Sequence, residues 1–184
     1  MIATVSLIIL VVLALAAEAF FSGSEIAFIS ASRPKLYKKA KENIPNALLA
    51  KFLIAKPERL FSTTVVGTNL CMNLVTAVVT LAIIRRFGVD QGWMSAFLLT
   101  PLILVFGEFI PKIIARNRAD QLVLKLARPL TFASVILSPL TKIFGFYAQV
   151  LKRLLGESTD KSFFLSREEI QAALPSSRGS DVTQ

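Results

Sequence analysis

The sequence predicts an all-α membrane protein: three transmembrane helices plus amphipathic juxtamembrane helices, the N-terminus outside and the C-terminus cytoplasmic. Three observations predict it. Met1–Ala17, Leu60–Ile84 and Gly92–Gly107 contain no Asp, Glu, Lys or Arg. No water in the hydrocarbon can satisfy a bare backbone, so apolar runs of roughly 18 residues or more cross as helices. Flanking semi-polar residues bring two of these runs to that length. The chain is also 54% hydrophobic, and its mean hydropathy is +0.62. Finally, the basic residues are unevenly placed: eight Lys and Arg lie between Arg33 and Arg59 and five between Lys112 and Arg128, with only Arg85 and Arg86 in between. The positive-inside rule puts the two rich segments on the cytoplasmic side.

The first span is expected over about Ile2–Ile29. It lacks the basic n-region of a cleaved signal peptide, and its apolar character resumes after Glu18, so it reads as a retained helix. Ser32-Arg33-Pro34 reads as a cap with proline early in the next helix. Between Lys35 and Ala55, five lysines alternate with Leu36, Leu48, Leu49, Phe52 and Leu53. That mixture suits a helix, or a broken helix, in the headgroup layer with its lysines reaching water; a solvated amphipathic hairpin is the alternative. The second span covers Arg59 to about Ile84, and Arg85-Arg86-Phe87-Gly88 ends it. A short turn leads to Trp93, an aromatic suited to the interface, and the third span covers about Met94–Ala115.

Residues 129–141 are uncharged but only 13 in number, and they contain Pro139. They form either a fourth span or an interfacial element continuing as an amphipathic helix to Leu155. A fourth span would export Lys152, Arg153 and the polar tail, so three are favoured. Residues 1–155 are thus read as a transmembrane domain with juxtamembrane helices. Residues 156–184 read as a polar tail in which Ser166 and Glu169 form a capping-box pattern, a truncated linker towards a missing cytosolic domain.

Composition narrows the chemistry. The chain has no His and one Cys, which removes the commonest metal ligand and general base and leaves neither a disulfide framework nor a CxxC site. No Ser–base or paired-Asp arrangement stands out, so an enzyme is not expected. The net charge of +9 comes without a basic stripe interleaved with aromatics, so nucleic acid is not the expected partner. Anionic lipid headgroups are.

Ionisable residues inside spans are expensive, and each is a functional candidate. Glu18, Ser22 and Glu25 share one face of the first span. Ser22 and Ser24 can face one point only if the helix is bulged or unwound at Gly23; otherwise Ser-Gly-Ser is a small patch for close packing. In the second span Ser62, Asn69, Asn73, Thr76 and Thr80 form one polar stripe. Interhelical hydrogen bonding explains Thr76 and Thr80, whereas two carboxamides one turn apart offer hard oxygen ligands. In the third span, Pro111 deprives the Gly107 carbonyl of its helical donor, beside the Glu108 carboxylate. Carboxylate, carbonyl, amide and hydroxyl oxygens suit a hard cation such as Mg²⁺, Ca²⁺ or Na⁺. Alternatively, Glu108 simply pairs with Lys112 one turn on.

Phe20-Phe21-Ser22-Gly23-Ser24-Glu25-Ile26-Ala27-Phe28, Val66-Gly67-Thr68-Asn69-Leu70 and Phe106-Gly107-Glu108-Phe109-Ile110-Pro111-Lys112 resemble the transmembrane domain of the CorC/CNNM magnesium transporters. The resemblance covers about residues 1–155. It implies a homodimer in a cell membrane, the bacterial inner membrane, with a Mg²⁺ site between the spans. By motif position Ser22, Ser24, Asn69 and Glu108 would be ligands, with the Gly107 carbonyl nearby and Asn73 as a further candidate. It implies Mg²⁺ export by a secondary transporter, with Na⁺ as the associated coupling ion. Nucleotide would act only through the family's CBS-pair domain, which is missing here. The alternative is a non-transporting membrane module that senses Mg²⁺.

Overall fold

The computed structural model describes residues 2–141, with side chains from Val5 onward. Its regular elements are all helical. Helix α1 (Ile2–Ser30) runs unbroken. Proline sits in the first turn of α2 (Arg33–Lys41) and of α4 (Pro57–Phe87), where its missing N–H would have no helical acceptor. Between α2 and α3 (Ala47–Ala55) the chain turns through Asn43 and Asn46, both at positive φ, a conformation asparagine tolerates. Pro45 lies inside this turn, so Lys35–Ala55 is the broken-helix form of the expectation. Gly88, at φ 99°, ends α4, and only glycine adopts that backbone without strain.

The third span is assembled from three pieces. Helix α5 (Trp93–Leu102) gives way to a π-helical segment, Ile103–Phe109, and then to α6 (Ile110–Asn117). Pro101 and Pro111 bracket the wide turn, and each removes a donor from the α-helical ladder. At its end the Ile110 N–H reaches the Val105 carbonyl five residues back. Helix α7 covers Ala119–Ile136.

Among the described residues, three stretches are long and apolar enough to cross a membrane: Val5–Ser30, Pro57–Phe87 and Val89–Asn117. Their outward faces expose Ile8, Val12, Leu13, Phe97 and Leu98, and lipid is the environment in which that exposure costs nothing. Of the segment 129–141, residues 129–136 belong to α7, a turn falls at Leu137 and residues 138–141 are helical again; the choice between a fourth span and an interfacial element turns on residues beyond 141. The proposed continuation to Leu155 and the tail lie outside the described residues.

Two apolar clusters hold the helices. Ala14, Val75, Leu99 and Ile103 join the three spans. Phe28, Leu36, Ala40, Leu53, Leu60, Val123, Ala127 and Leu130 join the ends of α1 and α4 to α2, α3 and α7. The loop 31–56 and the segment after Asn117 therefore meet at one end of the bundle, and both are rich in Lys and Arg. Arg59 reaches across there to the Ser134 hydroxyl at 3.0 Å.

Ser32 sits at the N-cap of α2 as expected, but its side chain makes no cap bond. Its backbone N–H instead donates to Asp120 Oδ1 at 2.8 Å, and Lys35 Nζ donates to Asp120 Oδ2 at 2.9 Å. The Ser32 amide, and next Lys35, hold the Asp120 carboxyl below the usual carboxylate range. A depressed folded pKa gives stability that is complete above the unfolded value, about 4, and is lost as pH falls through the folded one. Asp120→Ala is therefore expected to destabilise the protein by about 1 kcal/mol at neutral pH. In thermal melts in detergent, its gap from the natural protein should close as pH drops below about 4. A gap that stays constant with pH would mean that the carboxylate's charge contributes nothing.

Candidate cation site

Between the two apolar clusters lies a polar layer. Glu18 stands at the middle of the span Val5–Ser30 and is 0% exposed, and neither carboxylate oxygen has a hydrogen-bond partner. An isolated buried carboxylate is costly unless something neutralises it. Opposite it is Gly107 in the π-helical segment: a Cβ there would fall 2.8 Å from Glu18 Cδ and Oε1 and 3.1 Å from Oε2. The absence of a side chain at Gly107 therefore makes room for the Glu18 carboxylate in the span facing it. Pro111, four residues on from Gly107, lies against Gly23 at ordinary contact distance, so the Ser-Gly-Ser segment of α1 packs directly on the Pro111 kink.

Ser22 and Ser24 are 2% and 0% exposed, and both hydroxyls lack partners. This is unusual within the molecule. Ser62, Thr63, Thr64, Thr68, Thr76, Thr100 and Thr131 each donate to the carbonyl four residues back, the common use of a helical hydroxyl. Ser22 and Ser24 keep theirs available. The unwinding at Gly23 that would aim them at one point is not present, because α1 is continuous. On a regular helix they diverge by about 200°, Ser22 staying on the Glu18 face. Both are buried because α1 is covered on several sides, by α4, α6, α7 and the π-helical segment.

The other predicted residues lie less deep. Glu108 follows Gly107, and its Oε2 accepts from Lys112 Nζ at 3.1 Å, so the alternative pairing is formed here. Asn69 and Asn73 occupy exposed positions on α4 and are not part of the enclosed layer. The Asn69 amide nitrogen is tied to the Val65 carbonyl at 2.8 Å, which leaves its oxygen free. Thr80 donates to the Ser95 hydroxyl at 2.8 Å, the interhelical bond expected of it, whereas Thr76 bonds within its own helix.

The structure thus brings Glu18, Ser22 and Gly107 together, with Ser24 buried alongside. Glu18 is the residue that sequence reasoning left out of the ligand set. The signal was there, a carboxylate in mid-span on the Ser22 face, but its proximity to Gly107 was not. Among the described residues no three of His, Cys, Asp and Glu cluster. A cation here would be held by carboxylate, hydroxyl and carbonyl oxygens, a hard donor set.

The family model described as the cyclin M transmembrane N-terminal domain matches residues 8–184. The UPF0053 inner membrane protein YfjD of Escherichia coli is 31% identical over 163 residues, 88% of this chain and 38% of that protein. A UPF0053 protein of Haemophilus influenzae is 27% identical over 168 residues, 91% of this chain and 40% of that one. A chloroplastic DUF21 domain-containing protein of Arabidopsis thaliana is 26% identical over 166 residues, 90% of this chain and 25% of its own length. The chain thus spans two fifths or less of the length of these relatives.

Proposed function

We propose that this chain, which belongs to the cyclin M transmembrane N-terminal domain family, carries Mg²⁺ across a bacterial inner membrane through the oxygen-lined layer at mid-span. The observation that carries this reading is the set of buried, unpartnered oxygens of Glu18, Ser22 and Ser24. Desolvated polar groups without partners are rare in native proteins, and a ligand that fills them accounts for their retention. Mg²⁺ sheds water reluctantly, so several placed oxygens are needed to take it.

In this reading Glu108 exchanges its Lys112 partner for the ion, and the Gly107 carbonyl, which Pro111 deprives of its helical donor, adds a further oxygen. Asn69 joins the set when α4 moves, as alternating access around a fixed site requires. The protein exports Mg²⁺ in exchange for Na⁺ and works as a homodimer, both on the strength of the resemblance. The Lys and Arg gathered at one end of the bundle face the cytoplasm and its anionic headgroups, with the N-terminus outside. The role is transport and not catalysis.

The test is calorimetric titration of Mg²⁺ into the purified chain in Na⁺-free buffer, followed by flux in reconstituted vesicles. Glu108→Gln is expected to weaken binding by roughly tenfold or more and to stop flux. Unchanged binding would make Glu108 structural. Binding without flux in the natural protein would instead describe a Mg²⁺-sensing module.

A further inference from the structure

We infer that Glu18 makes the site doubly anionic and thereby sets its preference for divalent over monovalent cations. The inference rests on the cation-site reading above and adds a residue and a selectivity mechanism to it. Glu18 is buried at mid-span with both oxygens unpartnered, and its carboxylate fills the space left by the missing side chain of Gly107. Gly107 is followed directly by Glu108, so the position against which the Glu18 carboxylate packs is next in sequence to a second carboxylate of the third span.

Their surroundings differ. Glu108 is about a third exposed and has Lys112 at 3.1 Å, itself 41% exposed. That pair can open towards solvent. No Lys or Arg among the described residues pairs with Glu18, so its carboxylate is neutralised by a proton or by a cation that enters the layer. Its oxygens, with the free Ser22 hydroxyl one turn along the same face, are hard ligands. A divalent ion neutralises both carboxylates once Lys112 leaves. A monovalent ion leaves one of them uncompensated in a low-dielectric interior, where an unbalanced charge is heavily penalised. Selectivity then follows from charge count, ahead of cavity size.

The experiment compares the natural chain with Glu18→Gln, measuring Mg²⁺ binding by calorimetry and Na⁺ by its competition with bound Mg²⁺. Glu18→Gln is expected to lose roughly tenfold or more in Mg²⁺ affinity while Na⁺ competition changes far less, so the ratio of the two falls. In ion-free detergent the variant should melt at or above the natural protein, because an unpaired buried charge has been removed. Mg²⁺ should raise the melting temperature of the natural chain more than that of the variant. An unchanged Mg²⁺-to-Na⁺ ratio would overturn the inference, as would a lower ion-free melting temperature, which would make Glu18 a packing residue. Should Glu18→Gln fail to fold, Glu18→Asp decides: its retained charge must keep the ratio near that of the natural chain, and a collapsed ratio overturns the inference. A natural chain that binds no Mg²⁺ would overturn the cation site itself, a result distinct from binding that is merely indifferent to Glu18.

Discussion

Gly107→Ala is expected to remove most of the saturable Mg²⁺ binding while leaving the three spans folded. The new Cβ would lie 2.8 Å from the Glu18 Cδ and Oε1, closer than real carbon atoms approach. The carboxylate ends a flexible side chain, but it is 0% exposed, so no solvent pocket can receive it. Either it is driven off the site or the π-helical segment moves away from α1. Overpacking of this kind costs about 1–3 kcal/mol, which corresponds to roughly a tenfold loss of affinity or more. Calorimetry on the purified variant measures it. Gly23→Ala is the control: its Cβ would meet Pro111 at 3.5 Å and beyond, ordinary contact, so binding should be nearly unchanged. Equal behaviour of the two variants would mean that Glu18 and Gly107 do not form the site.

Gly67→Ala should give the largest loss of stability, through packing alone. A Cβ on Gly67 would stand 2.6 Å from the Cγ, Cδ1 and Cε1 atoms of Phe21. These atoms belong to the body of a ring, which is itself packed edge-to-face against Phe20 with centroids 5.2 Å apart. The ring cannot swing aside cheaply, so α1 and α4 must separate along their crossing. The expected destabilisation is about 1–3 kcal/mol, read as a lower midpoint in thermal or detergent unfolding. Removing the obstruction should recover part of it: Gly67→Ala combined with Phe21→Ala is expected to cost clearly less than the sum of the two single changes. Strict additivity would show that the two residues do not press on each other.

What was legible in the sequence follows from which interactions are local. The three spans could be read because absence of charge over a run of residues is a property of the run itself. Between α2 and α3 the sequence left a continuous and a broken helix both open, and the break falls at Asn43-Ile44-Pro45-Asn46. The kink at Pro111 was foreseeable, since proline acts on its own helix, but the π-helical form of Ile103–Phe109 was not: where the ladder absorbs a missing donor depends on Pro101 as well, and on what packs alongside. Asp120 gave no sign of its bond to Ser32, 88 residues away. Glu18 could be seen as an intramembrane carboxylate, but only tertiary packing sets it against Gly107. The two asparagines of α4 looked like inward ligands because a polar stripe in a span normally faces protein. In the single chain that face is open, and the place of Asn69 in a cation site rests on the proposal above.

The packing of α7 onto the α2–α3 hairpin bears on how the chain is made. Leu36, Ala40 and Leu53 are covered by Val123, Ala127 and Leu130, residues that leave the ribosome about 70 positions after Leu53. At roughly 5–20 residues per second this delay lasts several seconds. During synthesis the hairpin therefore waits with its apolar side uncovered, and the surface available to it is the one beside the newly inserted first span. Only when the third span is in place does α7 displace lipid from that side. Of the helices α1 to α7, the one made last closes the bundle's basic end.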